Sequence, residues 1–383
     1  MSVKFCNAML VAVLGLTAAT PSNAKSLLKT LYTFQGGADG TGPWGSLLLN
    51  GSVLYGVTHS GGSANAGTIF SFDLSTGIKS TLYTFTGGND GNTPLAALTY
   101  LNGVLYGTTI RGGTAGWGVV FQYNISTAQE STLYSFQGGY DGLEPAGPLI
   151  SFGGLLYGTT LFGGNGENGG LTGTLYSIDP ATGVETIVSN SLCNPEGQLA
   201  SVDGLLWGTN TCYVGSIFNV NTATGSTAIA ASWNQYGDPY YAGPISANGL
   251  LYGTASAGGD LKCSQAGSGC GTLYSLDPST NTLKTLYSFK GTGADIPFYS
   301  LVYNNGLLYG TTYGGKKGGG DLFSFDPITK KLTTLFSFIG GSTSKTGYFP
   351  NQLIYSGGVL YGTTLGGGCA GGTCSGTIYS FTP

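Results

Sequence analysis

Leu105-Tyr106-Gly107-Thr108-Thr109 is the stretch that decides the fold. The same five residues return at 156–160, 308–312 and 360–364. Altered copies stand at 54–58 (Val57 for the first Thr), 206–210 (Trp207 and Asn210) and 251–255 (Ala255). Seven copies recur about every fifty residues. Working outward from the first copy, residues 46–49 after Pro43 read as a strand a, followed by an Asn50-Gly51 turn. Strand b covers 53–58 and a Gly-rich loop covers 60–66. Strand c covers 67–72, a turn at 73–77 follows, and strand d covers 80–85. Turn residues between short alternating runs are the hairpin signature, and four such strands per unit make a propeller blade.

The ends fix the number of blades. Residues 29–34 read as a strand d with no blade before it, and the last unit stops at strand c, 376–381. The two deficits cancel if the N-terminal strand completes the last blade, which leaves no open sheet edge. The expectation is an all-β, seven-bladed propeller of four-stranded antiparallel blades in a single domain, 25–383. Each strand a follows a Pro: Pro43, Pro94, Pro145, Pro195, Pro239, Pro297 and Pro350. Proline is tolerated at a strand's first residue. Small residues close behind it (Gly45, Ala96, Gly147, Gly197, Gly243, Ser300) suit strands converging on an axis. The motif glycine reads as a close backbone approach, with the Tyr packing between blades.

The chain has 383 residues, 70 of them Gly, with 8% charged and 12% aromatic. Aromatic and β-branched runs separate it from disordered chains of similarly low charge. Residues 1–24 have the form of a signal peptide: Lys4, an apolar run from Phe5 to Ala19, and Ser22-Asn23-Ala24 at the cleavage site. Cleavage after Ala24 predicts a secreted or periplasmic protein. No later stretch reads as a transmembrane segment or C-terminal anchor. Without Lys4, twelve basic residues face seventeen acidic ones, a net charge of about −5. The largest basic clusters are Lys316-Lys317 and Lys330-Lys331. That is no footprint for nucleic acid, which needs a positive surface.

Six cysteines remain, an even number in an exported chain, and read as disulfides. The repeat frame selects Cys193–Cys212, Cys263–Cys270 and Cys369–Cys374. Cys212 is read as following one strand and Cys193 as preceding its antiparallel neighbour. A metal centre would need four converging ligands, so no metal or other cofactor is expected.

The second unit gathers the wider pattern: Asp90-Gly91, Pro94, the Gly103–Thr109 motif, Gly112-Gly113 and Gly118-Val119-Val120-Phe121. It resembles the GloVer (Gloeo/Verruco) tandem-repeat family of exported bacterial proteins, and the resemblance covers nearly the whole mature chain. The resemblance implies an exterior location and a repeat fold, and no reaction.

The d–a and b–c loops share one face, the expected ligand face. Asp39, Asp90 and Asp141 recur there. They read either as Asp-Gly turn chemistry, which we favour, or as an arc of carboxylates for Ca²⁺ or sugar hydroxyls. His59, the one histidine, stands where other units have Ile110, Leu161 and Leu365, and is read as packing or making a local hydrogen bond. Arg111, Glu144, Glu167, Glu196, Asp260 and Lys317 break the repeat and are the better candidates for chemistry, which needs different groups in one place. Trp44 and Trp117 lie nearest the ligand-face loops and could stack on sugars. Two functional readings follow. The first is a non-catalytic binding module whose ligand is a glycan or a protein. The second is a carbohydrate-active lyase or hydrolase, which an axial pocket holding two or more of His59, Arg111, Glu144 and Glu196 would favour. A purely structural scaffold is a third.

Overall fold

The computed structural model describes residues 28–165, 172–211, 215–233, 242–263, 269–291, 293–341, 344–368 and 375–383. Seven antiparallel sheets form seven four-stranded blades. In blade 1 the strands are Thr41–Asn50, Val53–Ser60, Thr68–Asp73 and Lys79–Thr84, paired in chain order. In blade 7 the outermost strand is the first of the chain, Leu28–Thr33. It pairs antiparallel with Thr377–Phe381, Leu28 opposite Phe381 and Thr33 opposite Thr377. The ring is closed as the sequence predicts.

Each residue of the central motif has its own task. The Leu (Leu54, Leu105, Leu156, Leu206, Leu251, Leu308, Leu360) is fully buried in every blade. The Tyr fills the seam to the following blade, as Tyr55 does beside Leu98 and Phe121. The Gly is opposite the strand c aromatic, Gly56 against Phe70. A Cβ on Gly56 would stand 2.5 Å from the Phe70 ring. The close approach is therefore to a ring and not to backbone, which corrects the sequence reading. The first Thr ties blades together: Thr209, Thr254 and Thr311 donate to the carbonyls of Ala242, Tyr299 and Asn351 in the next blade. The second Thr closes a local turn of hydrogen bonding near the strand's end. Thr58, Thr109, Thr160, Thr312 and Thr364 each donate to the carbonyl two residues on, at 2.7–3.1 Å.

The seams repeat as well. The last aromatic of strand d meets the strand c aromatic of the next blade edge to face: Phe34–Phe70, Phe85–Phe121, Phe136–Tyr176, Trp233–Tyr274, Phe289–Phe323 and Phe338–Tyr379, with centroids 5.0–5.7 Å apart. One irregularity makes this possible. The c–d pairing of each blade contains a shift, which in five blades falls just before the strand d ring, for example between Thr30 and Tyr32 and between Thr132 and Tyr134. Such a bulge lets the adjacent Leu and Tyr of the Thr-Leu-Tyr run turn to one side.

The prolines do not open strands as the sequence reading has it: Pro43 lies inside the strand Thr41–Asn50, and Pro94 and Pro350 end the short strands Asn92–Pro94 and Tyr348–Pro350. Pro94 lies on Gly67, the glycine before strand c of the preceding blade, where a Cβ would stand 2.6 Å from the Pro94 Cδ. Pro145 on Gly118, Pro195 on Gly173, Pro297 on Gly271 and Pro350 on Gly320 repeat the contact. Pro43 on Gly376 makes it across the closure. Small residues after Pro are explained by crowding at the axis. A Cβ on Gly45 would stand 2.7 Å from the Leu95 carbonyl oxygen, and one on Gly147 3.2 Å from that of Gly197.

The Cys263–Cys270 disulfide is present. Cys193 is also disulfide-bonded; it ends the strand Glu185–Cys193 and precedes Ala200–Val202, which pairs antiparallel with Leu205–Asn210 as the sequence reading has it. Its carbonyl accepts from Thr211, the neighbour in sequence of the predicted partner Cys212. Cys212, Cys369, Cys374, the segment 1–24 and Glu167 lie outside the described residues.

Candidate functional site

The repeated aspartates are latches. Asp39 accepts from the Tyr32 hydroxyl at 3.0 Å and the Gln35 amide at 2.7 Å. Asp90 accepts from Tyr83 and Thr86, and Asp141 from Tyr134 and Gln137, in the same way. Each folds its d–a loop onto the Tyr seven residues earlier. Burial and the neighbouring Asp39 carboxylate push the Tyr32 hydroxyl up to about 12. This geometry is the turn reading. A third group completes each seam from the next strand d. Beside Asp39 it is Lys79, whose ammonium is 2.6 Å from Oδ1 and whose side chain is 2% exposed. Beside Asp90 and Asp141 it is Glu130 and Glu185, both pushed up to about 7, first by burial.

Of the described residues that break the repeat, only Arg111 and Glu144 are shown in contact, and not at the axis. Arg111 pairs with Glu144 at 2.8 Å. His59 Nδ1 lies 2.9 Å from the Gly42 carbonyl, which can only accept, so Nδ1 carries the proton. The Trp44 ring meets His59 edge to face at 6.0 Å. At the axis a cleft of about 30 Å³ is lined by Trp44, Glu196, Tyr299 and Gln352. Of His59, Arg111, Glu144 and Glu196, only Glu196 lines it. Gln352 donates to Gln198 at 2.9 Å, from blade 7 to blade 4, and spans the channel. Trp117 is 38% exposed on the blade 2 loop, its ring edge 3.0 Å from where a Gly138 Cβ would stand. Asp260 begins a turn through the Lys262 amide, 3.0 Å from Oδ1.

The built cavity is off the axis, over blades 6, 7 and 1. Trp44, Phe298, Tyr299, Tyr313, Phe349 and Leu365 enclose about 310 Å³ of mainly apolar space. Tyr313 and Phe349 are stacked, with centroids 3.9 Å apart and planes 8° from parallel. Phe298 meets Tyr313 edge to face at 5.4 Å. The repeat delivers these side chains from a few positions. Trp44 and Phe298 follow the strand a Pro, and Phe349 precedes it. Tyr313 and Leu365 follow the motif, at the place His59 takes in blade 1. Phe349 holds φ at 56°. So do the other residues before these prolines: Thr93 (60°), Glu144 (58°), Asn194 (44°) and Ile296 (55°), with Gly42 at 61°. Left-handed backbone in bulky residues is strained and persists only where surrounding contacts impose it. Here the amide of the pre-proline residue is fixed: Thr93 donates to Ala66, Glu144 to Trp117 and Ile296 to Cys270, at 2.9–3.0 Å.

Tyr313 and Phe349 also wall a second cavity of about 630 Å³, lined by Lys262, Lys290, Asp295 and the Cys263–Cys270 bridge. Burial, and then Asp321, raise the Asp295 carboxyl. Cys263, Cys270 and Asp295 come within metal-ligand spacing, but the two sulfurs are bonded to each other and offer no thiolate. Sequence reasoning found Trp44 and missed Phe298, Tyr299, Tyr313 and Phe349. The signal was available: these are aromatics where other units hold small or aliphatic residues, such as Ala146, Ala96, Ile110 and Thr93.

Among solved structures, the chain is similar to an oligogalacturonate lyase in complex with manganese, at 13% identity and TM-score 0.57, covering 94% of each chain. It is also similar to the computationally designed Ika8 protein, at 13% identity and TM-score 0.55, covering 93% of this chain and 100% of that one. Likeness at this identity reports the fold. No curated protein matches the chain. The Gloeobacter/Verrucomicrobia repeat matches residues 16–172, 80–267 and 213–383, nearly the whole length, and the chain belongs to that family.

Proposed function

We propose that the chain is an exported, non-catalytic glycan-binding propeller whose ligand rests in the aromatic basin of blades 6, 7 and 1. The basin carries this reading. Aromatic rings with one apolar face and a polar edge suit the CH faces and hydroxyls of a sugar, and a concave, mainly apolar cavity is the usual form of a ligand site. The axial cleft holds only Glu196 of His59, Arg111, Glu144 and Glu196, and Glu144 is taken up by Arg111, which favours binding over hydrolysis or elimination. Export after removal of residues 1–24 places such a module in the periplasm or outside the cell. The test is a glycan array with a parallel polysaccharide-cleavage screen of the purified mature chain. Binding without cleavage, lost in Trp44→Ala and Tyr313→Ala, is expected; degradation of any polymer would overturn the reading.

A further inference from the structure

The charges of the ligand face are sorted by sector. Lys262, Lys290, Lys316, Lys317 and Lys345 all lie in d–a or b–c loops of blades 5 to 7, and all are exposed. They are five of thirteen basic residues in a chain of net charge −4. The corresponding loops of blades 1 to 3 hold Asp39, Asp90, Asp141, Glu144 and Glu167, with Arg111 as their one basic residue, while the lysine sector's loops hold two acids, Asp260 and Asp295. Among the described residues, Asp39, Asp90, Asp141 and Glu144 are already engaged, with tyrosines or with Arg111. The lysine sector opens onto the aromatic basin, because Tyr313 and Phe349 line both cavities.

We infer that the ligand is an anionic polysaccharide, its sugar rings against the Tyr313–Phe349 wall and the basin beyond, its carboxylate or sulfate groups on Lys262 and Lys290. The inference rests on the glycan reading above and adds the charge of the ligand to it. A face with a lysine excess in one sector, five to two acids, and an acid excess in the other draws an anionic chain to the first and away from the second. The one acid lining the second cavity, Asp295, has its Oδ1 buried and without a hydrogen-bond partner, and its burial favours the neutral form. Lys316 and Lys317 are close enough to act electrostatically on the buried Asp321 behind it. The Cys263–Cys270 bridge holds the loop that bears Lys262, with Gly291 (φ 68°) lying under the sulfurs. The lysines are thereby presented from constrained backbone, which reduces the entropy lost on binding.

The experiment uses the mature chain and four polymers: polygalacturonate, the same polymer fully methyl-esterified, dextran sulfate and dextran. Esterification removes the charge and keeps the backbone. Binding to polygalacturonate or dextran sulfate at least about tenfold tighter than to its neutral counterpart, weakening as NaCl rises from 50 to 300 mM, is expected. The double variant Lys262→Ala/Lys290→Ala is expected to lose on the order of tenfold for the anionic polymers, with an unchanged melting temperature. Lys330→Ala/Lys331→Ala, on the opposite face, is expected to bind like the parent. Equal affinity for charged and neutral polymers, or equal losses in the two lysine variants, would overturn the inference and leave the glycan reading standing. Failure to bind any polymer here or on the array would overturn both.

Discussion

Blades 1 to 3 and blades 5 to 7 share one interior and differ in their ligand-face loops. In the first group the loop leading into each blade is folded onto the Tyr of the preceding strand d by Asp39, Asp90 or Asp141. Blade 5 has Tyr287, but the residue seven positions on is Ala294. Its loop is free of that latch and reaches the cavity shared with Tyr313 and Phe349. The core beneath is unchanged: Phe85–Phe121 in the first group and Phe289–Phe323 in the second meet in the same edge-to-face arrangement. The repeat thus holds a frame constant while the loops of one sector diversify. Where the polar groups satisfy one another, the surface is structural; where aromatics and lysines are left exposed, it is available to a ligand.

Five measurements test that division, in descending order of effect. Removing residues 25–35 deletes the strand Leu28–Thr33 and opens the ring, so both groups should fail together. The expected result is an insoluble protein or one without a cooperative melt, and a soluble, cooperatively melting deletion would refute the closure. Asp39→Ala strands the Lys79 ammonium in a buried seam and should cost about 3 kcal/mol by denaturant titration, without touching glycan binding. Gly107→Ala and Gly310→Ala crowd Phe121 and Phe323 in turn. Each should cost about 1–3 kcal/mol, and unequal losses would show that the two interiors differ. Tyr313→Ala, at a side chain 41% exposed, should weaken glycan binding about tenfold and leave stability within about 0.5 kcal/mol. If it destabilises as strongly as Asp39→Ala, the basin is a packing feature.

The smallest effect concerns pH. Glu130 and Glu185 are raised to about 7 in the folded chain, from an ordinary value of 4.5. A carboxyl raised on folding holds its proton more tightly when native, so its contribution is fully present below the unfolded value and is lost as pH rises through the folded one. The melting temperature should fall between pH 4.5 and 7.5. Glu130→Gln/Glu185→Gln should flatten that slope, while any change at Lys79 should not.

The blade count and closure were legible because they follow from a motif counted along the chain and from two unfinished ends. The aspartates were legible as turn residues, but not their tyrosine partners, since Tyr32 and Asp39 are joined across a loop whose path the sequence does not state. The strand d bulge was hidden because Leu31 and Tyr32 break simple alternation, which reads as a strand buried on both faces. The basin was hardest to see. Trp44 and Phe349 are far apart in sequence and become neighbours only after closure, so no local window contains them. Tyr313 was passed over because its repeat position was read from Ile110, Leu161 and Leu365, which made an aromatic there look like ordinary core.

The pairing of Leu28 with Phe381 also sets a schedule. Strand Leu28–Thr33 is made about 350 residues ahead of the strand it pairs with, Thr377–Phe381. At roughly 5–20 residues per second, synthesis of the intervening chain, about 350 residues, takes on the order of 20–70 seconds. Throughout that time the strand offers an unpaired edge to any other nascent chain. A protein sealed in this order gains from being kept unfolded until both strands have been made. Passage across a membrane before folding would enforce that timing.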